Sequence, residues 1–326
     1  MTKVVRVAVA ILQKANGEFL LASRPQGKGW AGWWEFPGGK IEQGEAPEHA
    51  LTRELQEELG VTPTAIQPWI TRRYDYPATH DAEAKTVLLH FFFVTAWQGE
   101  VKPLEGQTLA WQAPHNVQVS PVLPANAPIM HALALPDIYA ISNMAEMGKP
   151  QFMRALAHAL DHGLQLIQVR EKLLSRDAFS VFTEEVLALC APYQAKVMVN
   201  TDIAHAEQLG AHGVHLSSHA LMQLAQNPPQ KPDGILVSAS CHTPLELKQA
   251  EALTLDFLVL SPVLNTLSHP DAAPLGWETF ARWIQHYPLP VYALGGMLPQ
   301  HLATALKCGA RGIAMQRGAW QMYEES

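Results

Sequence analysis

The chain has 326 residues, room for about two domains at ~150 residues each. Hydrophobic residues make up 48% and charged residues 16%, an ordinary globular balance. A net charge of -7 with no basic arm or patch argues against sequence-independent binding to a nucleic-acid backbone, and leaves room for a small phosphorylated substrate held through metal.

Val4–Leu12 is a β-rich run, and Asn16-Gly17 is a hairpin signal, so 19–22 reads as the returning strand. The first residues are only briefly apolar before Lys14, Asn16 and Glu18, which fits neither a signal peptide nor a membrane span. Gly38-Gly39 breaks the chain before a helix over 46–59. Pro47 suits the first turn of that helix and Gly60 its stop. An apolar run over 87–97 fits a buried strand. Pro114, Pro121, Pro124 and Pro128 then crowd the chain, and a short helix over 129–135 ends at Pro136. The domain boundary is placed there, giving domains 1–135 and 137–326.

After the boundary the rhythm changes. Eight short β-branched runs (DIYAI, LIQVR, KVMVN, GVHL, ILVSAS, FLVLSPV, PVYALGG and GIAMQ) alternate with helical stretches. The expected architecture is an α/β domain with hairpins followed by a lean (β/α)₈ TIM barrel. Cys190, Cys241 and Cys308 are odd in number and widely spaced. That argues against a disulfide framework and for a reducing, cytoplasmic setting.

One motif carries chemistry. Gly39-x5-Glu45-x7-Arg53-Glu54-Leu55-Gln56-Glu57-Glu58-Leu59-Gly60-Val61 puts Glu54, Glu57 and Glu58 at i, i+3 and i+4 of the helix. Carboxylates so crowded destabilise a helix unless a cation compensates them. Hard oxygen ligands suit Mg²⁺ or Mn²⁺, ions that also bind substrate phosphates.

This motif resembles the box of the Nudix hydrolase family, and the likeness covers about 130 residues. Within it, Trp34-Glu35-Phe36-Pro37-Gly38-Gly39-Lys40-Ile41-Glu42 is similar to the MutT type, the 8-oxo-dGTP diphosphatases. The resemblance implies hydrolysis of a small nucleotide to its monophosphate and pyrophosphate. It implies Glu54 as general base and Gly38, Glu54, Glu57, Glu58 and Glu105 at the metal site. Arg24 and Asn126 would contact sugar and base, and Gly39, Glu45, Arg53 and Gly60 would hold the box. Trp30, Trp33 and Trp34 are read as packing and pocket wall.

The barrel resembles thiamine-phosphate synthase and its relative, the thiazole tautomerase TenI. The likeness rests on Gln168-Val169-Arg170-Glu171-Lys172, Gly213-Val214-His215-Leu216, Ser261-Pro262-Val263, Pro270-Asp271-Ala272 and Gly295-Gly296. It implies a phosphate or ligand site at Gln168, Arg170, Lys172, Asn200, Gly295, Gly296 and Arg317. This sequence departs from the synthase pattern in places. Thr201 and Ala220 stand where metal-binding Asp residues are expected, His269 stands for a lysine, and Arg317 for a serine. Synthesis is therefore expected to be impaired. His212 and His215 are spaced H-x-x-H, but one falls in a turn and one on a strand. Three alternatives stay open: hydrolysis of a thiamine-pathway pyrophosphate, a bifunctional enzyme, and a barrel that only binds a phosphorylated ligand. The oligomeric state is not legible.

Overall fold

The structure, a computed structural model, describes residues 4–78, 84–224, 231–253, 255–266 and 273–321. The chain divides into two compact units, Met1–Ala134 with Gln285–Pro288, and Leu135–Ile284 with Leu289–Ser326.

The first unit holds β1 (Val4–Leu12), β2 (Phe19–Ser23), β3 (Trp34–Glu35), β4 (Gly38–Lys40), α1 (Pro47–Leu59), β5 (Thr62–Tyr76), β6 (Lys85–Gln98), β7 (Leu109–Gln112) and α2 (Ala127–Leu133). One sheet runs β4-β1-β6-β5 and another β3-β2-β7. β1 lies parallel to β6 and antiparallel to β4. Its side chains alternate between two cores, as the period of a strand dictates. Ala8, Ala10 and Leu12 pack on Ala50, Leu51, Leu55 and Leu59 of α1. Val9 and Ile11 pack on Phe19, Leu21, Phe36 and, from α2, Ile129 and Leu133.

Two expectations need correction. The Asn16-Gly17 turn exists, with Gly17 at φ 86° and the Glu18 N–H donating to Asn16 Oδ1. Yet the hairpin ends at the Lys14 N–H to Glu18 carbonyl bond and the bridge between Gln13 and Phe19; beyond these β1 and β2 join different sheets. Gly38 and Gly39 do not break the chain. They form β4, paired with Val9 and Ala8. α1 begins after Ala46 and ends on Gly60, which is left-handed at φ 70° and donates to the Gln56 and Leu55 carbonyls. β5 was not anticipated. It carries Pro63 and Pro68 and runs antiparallel to β6 through three register shifts.

The second unit is a closed barrel of parallel strands. They are β8 (Ile138–Ile141), β9 (Leu166–Val169), β10 (Lys196–Val199), β11 (Gly213–Leu216), β12 (Leu236–Cys241), β13 (Phe257–Leu260), β14 (Val291–Ala293) and β15 (Gly312–Met315). Each lies within one of the eight runs read from the sequence, except that β12 runs one residue further, to Cys241. Helices alternate with them: α3 (Met144–Met147), α4 (Lys149–Asp161), α5 (Arg176–Cys190), α6 (Ile203–Gln208), α7 (Ser218–Leu224), α8 (Pro244–Ala252), α9 (Gly276–Ile284), α10 (Leu302–Lys307) and α11 (Arg317–Gln321). The interior is filled by Tyr139, Leu166, Met198, Phe257, Val259 and Tyr292, so it is a packed core and not a pore. Among the described residues no helix is long and apolar enough to cross a membrane.

Candidate functional site

The first unit contains a cleft of about 440 Å³. Its apolar floor is Val5, Val7 and Val9 of β1 with Val87 and Leu89 of β6. Arg24, Lys28, Glu35, Gly38, Gly39, Glu54, Glu58, Glu105 and Asn126 line its walls. Most of the expected residues of the first domain therefore meet in one place. Glu45, Arg53, Glu57 and Gly60 do not line it.

The acidic end is built by two glycines. A Cβ on Gly38 would fall 2.2 Å from the Ala8 carbonyl oxygen, and one on Gly39 would fall 2.0 Å from the carboxyl carbon of Glu54. Bare backbone thus lets α1 press its carboxylates against β4. The Glu58 carboxylate accepts the Gly38 N–H at 3.2 Å, its one side-chain hydrogen bond among the described residues. Burial pushes the Glu58 carboxyl up to about 7. The Gly38 N–H opposes that rise, and the negative neighbours Glu105, Glu54 and Glu35 add to it.

Arg53 binds the box together. Its Nε and Nη2 donate to Glu45 at 3.1 Å, and Nη2 also donates to the Lys40 carbonyl at 3.0 Å. Its Nη1 donates to Glu54 at 2.8 Å and to Glu57 at 3.4 Å. Glu54, Glu57 and Glu58 spread across one face of α1. At about 100° per residue, positions i+3 and i+4 lie on opposite sides of position i. Glu58 turns into the cleft, while the Glu57 side chain is 57% exposed beside Arg53.

Glu105 sits on the loop before β7. Its N–H donates to Gln107 Oε1, and Gln107 Nε2 donates to the Glu58 carbonyl, both at 2.8 Å. Gln107 ties this loop to α1. The Lys28 ammonium lies 2.6 Å from the Glu105 carboxylate. Gln107, Lys28 and Glu35 were not expected as cleft residues, although Glu35 stood inside the quoted segment Trp34–Glu42.

The donor set fits a hard divalent cation. Glu58 is a largely buried carboxylate with only a backbone N–H for company, surrounded by like charge. Glu54 and Glu105 line the same wall and add oxygen donors. Among the described residues no three such groups are already gathered as a ligating cluster. Glu54, Glu57 and Glu105 are held in ion pairs by Arg53 and Lys28.

Asn126 and the Arg24–Glu35 pair line the same cleft. Asn126 is only 4% exposed, yet its side-chain amide makes no hydrogen bond among the described residues. It precedes α2 without capping it. Its position is fixed by backbone: the Trp34 N–H donates to Pro121 and the Leu123 N–H to Trp34, while the Asn126 N–H closes onto Leu123. Arg24 donates to both oxygens of Glu35, at 2.7 and 2.8 Å, and to the Gly29 carbonyl. Trp34 packs on the core, and Trp30 meets Trp33 edge-on at 4.7 Å. None of the three tryptophans lines the cleft.

Comparison with known proteins agrees with both halves. The family described as "Thiamine monophosphate synthase" matches residues 138–319, and the "NUDIX domain" matches residues 2–133. An 8-oxo-dGTP diphosphatase of Escherichia coli is 37% identical over 40% of this chain and 97% of its own length. A CTP pyrophosphohydrolase of the same organism is 36% identical over 40% of this chain and 91% of its own. A thiamine-phosphate synthase of Saccharophagus degradans is 31% identical over 48% of this chain and 72% of its own.

The chain is a Nudix domain fused to a thiamine monophosphate synthase domain.

In the synthase domain the expected ligand residues sit at or just beyond the C-terminal ends of strands. A cleft of about 300 Å³ is lined there by Glu171, Lys172, Arg176, Asn200, Thr201 and His205, among others. Arg170 is largely buried and Lys172 exposed. Neither side chain has a hydrogen-bond partner among the described residues, and the charge of Arg170 holds the Lys172 ammonium below its usual value. Glu171 is occupied, accepting from Ser142 Oγ and from the N–H groups of Met144 and Ala145. Asn200 donates to the His215 carbonyl, and buried Gln168 donates to Tyr139.

Other positions are committed elsewhere. Ser180 Oγ donates to the Arg176 carbonyl, so it accepts from His205 Nε2, and His205 Nδ1 accepts from the Thr201 hydroxyl at 3.0 Å. Ala220 contributes only a methyl group on α7. Arg317 is paired with Glu146. Gly295 and Gly296 have φ of 97° and 67°. Cβ atoms on them would fall 2.7 Å from Pro262 and 2.4 Å from the Asn265 carbonyl, so loop packing alone demands glycine at both. His215 is fully enclosed between Ser238 and Ser240, and His212 accepts the Val197 N–H. His269 and Pro270-Asp271-Ala272 lie outside the described residues.

Proposed function

We propose that the Nudix domain hydrolyses 8-oxo-dGTP, or a related nucleoside triphosphate, to the monophosphate and pyrophosphate. The observation that carries this reading is Asn126: a residue only 4% exposed whose side-chain amide caps no helix and lines the same cleft as Glu54, Glu58 and Glu105. An amide both donates and accepts, which suits the edge of an oxidised purine. Glu54, Glu58, Glu105 and the Gly38 backbone would hold Mg²⁺ or Mn²⁺. The ion supplies charge neutralisation at the phosphates and orientation of water. Glu54 takes the proton from the attacking water, and Glu57 acts through Arg53. Arg24, steadied by Glu35, stands over the sugar. Its place is the cytoplasm, clearing damaged nucleotides before DNA replication and so sparing DNA repair.

The synthase domain is read as impaired in synthesis and as a holder of a phosphorylated ligand. Arg170 and Lys172 supply positive charge, with Glu171 between them tied to Ser142, Met144 and Ala145, while Thr201 and Ala220 supply no carboxylate. The deciding experiment measures kcat/KM for 8-oxo-dGTP, dGTP, CTP and a thiamine-type pyrophosphate. A lead of CTP, the substrate named for the second relative, or of the thiamine compound would overturn the purine assignment.

A further inference from the structure

The loop between β2 and β3 is pinned at its base and carries a cation at its tip. Arg24 donates its N–H to Trp33 and receives that of Gly32, while its Nε holds Gly29. Between these anchors, Gly27 and Gly29 have open space around them, and Lys28 reaches Glu105, 77 positions further along the chain, at 2.6 Å. Lys28 and Glu105 both line the cleft, on the wall shared with Glu54 and Glu58. The pair is half exposed, at 51% and 40%, so solvent screens it and the ammonium can leave at little cost.

An ammonium and a divalent cation compete for one carboxylate. Once Glu105 is neutralised by a metal ion, the strongest anion left in reach of Lys28 is the phosphate chain arriving with that ion. We propose that Lys28 is a substrate-binding residue for the triphosphate, which in the free protein occupies Glu105 in place of the cation and passes to phosphate oxygen when the nucleotide enters. This rests on the hydrolase reading above and deepens it.

The test uses the full chain with Lys28→Met and Lys28→Arg. Mn²⁺ binding is measured calorimetrically without nucleotide, and kinetics are measured separately with 8-oxo-dGTP. Lys28→Met should bind Mn²⁺ alone about 2- to 5-fold more tightly, because its competitor is gone. The same variant should raise KM by roughly 10-fold, the loss of one charge-assisted contact. Lys28→Arg should restore most of the KM. Opposite signs on the two axes are the signature; loosening of the loop would weaken both together. A parent protein that binds Mn²⁺ and turns over nucleotide, with Lys28→Met matching it or weakened on both axes, overturns this proposal alone. A parent that neither binds Mn²⁺ nor hydrolyses any nucleotide overturns the hydrolase reading and this proposal with it.

Discussion

Gly39 leaves the space in which the Glu54 carboxylate lies: a Cβ there would stand 2.0 Å from its carboxyl carbon and 2.1 Å from one oxygen. The obstructed group is the far end of a flexible side chain, so Gly39→Ala should displace Glu54 and leave the fold nearly intact. A misplacement of about 1 Å in a reacting group costs on the order of 10²-fold in rate. The expected result is a kcat lowered by about that factor with little change in Tm. Gly38→Ala should behave differently. Its Cβ meets the backbone of Ala8 at 2.2 Å, and its φ of 142° disfavours any side chain. A stability loss of about 1–3 kcal/mol is expected, read by denaturant unfolding.

Glu54→Gln separates chemistry from binding. A lost general base lowers kcat by about 10²–10⁴-fold. Arg53 can still donate to the amide oxygen, so the loop should keep its place and nucleotide binding should persist. Parent-like turnover would remove Glu54 from this role.

Asn126→Ala should separate specificity from stability. Its amide has no partner within the described protein, and it caps no helix. Removing it should cost no more than about 1 kcal/mol of stability. The ratio of kcat/KM for 8-oxo-dGTP over dGTP should fall by about 5- to 150-fold, the equivalent of ~1–3 kcal/mol. An unchanged ratio with lowered stability would make Asn126 a structural residue.

The box and the eight barrel strands were legible because both are written in local patterns: a fixed spacing over Gly39–Val61 and short β-branched runs separated by helices. Other features depend on partners far away in sequence. β5 contains Pro63 and Pro68, which weaken a strand signal. Its irregular pairing with β6 accommodates them. Gly38 and Gly39 read as a break because glycine favours turns, but Ala8 and Val9 recruit them into a sheet. Spacing put three carboxylates on one face, but did not show that Glu58 turns into the cleft while Glu57 stays exposed beside Arg53. The pairings of Lys28 with Glu105 and Gln107 with Glu58 span 77 and 49 positions, beyond any local rule.

His215 gives the barrel an acid sensitivity of known sign. Burial, with the charge of Arg170, lowers its pKa from 6.5 to about 3, so the folded protein holds it neutral. Between these values the unfolded chain binds more protons than the folded one. Stability is full above pH 6.5 and falls as pH drops toward 3, by at most roughly 1.4 kcal/mol per unit. His215→Gln cannot take up that proton. It should be less stable at pH 7, since hydrogen bonds to Ser238 or Ser240 are lost, yet lose less on acidification. Calorimetric Tm values between pH 7 and 4 would show this, and parallel slopes for parent and variant would exclude it.

The last prediction concerns synthesis: the full-length protein should not make thiamine phosphate at a useful rate. The synthase reaction expels pyrophosphate, and the charge growing on that leaving group needs neutralisation, ordinarily by Mg²⁺ on hard oxygen ligands. Thr201 offers a neutral hydroxyl already given to His205, and Ala220 offers a methyl. Arg317 could hold phosphate only by leaving Glu146. What remains, Arg170 and Lys172, can attract an anion but cannot place a metal ion. Complementation of a thiamine-requiring strain lacking its synthase checks this, with an assay of the purified full chain beside it. Growth and turnover would make the protein bifunctional. Calorimetry with thiazole phosphate should still detect binding, and Arg170→Gln should weaken it. Thr201→Asp with Ala220→Asp is the attempt at restoration. The new carboxylate at position 201 will first meet His205, so His205→Asn belongs in the same variant to free it. Activity gained by the triple change and absent from the parent would locate the defect in the missing carboxylates. Activity in neither would place it elsewhere in the barrel mouth, with Arg317 the next residue to revert, to serine.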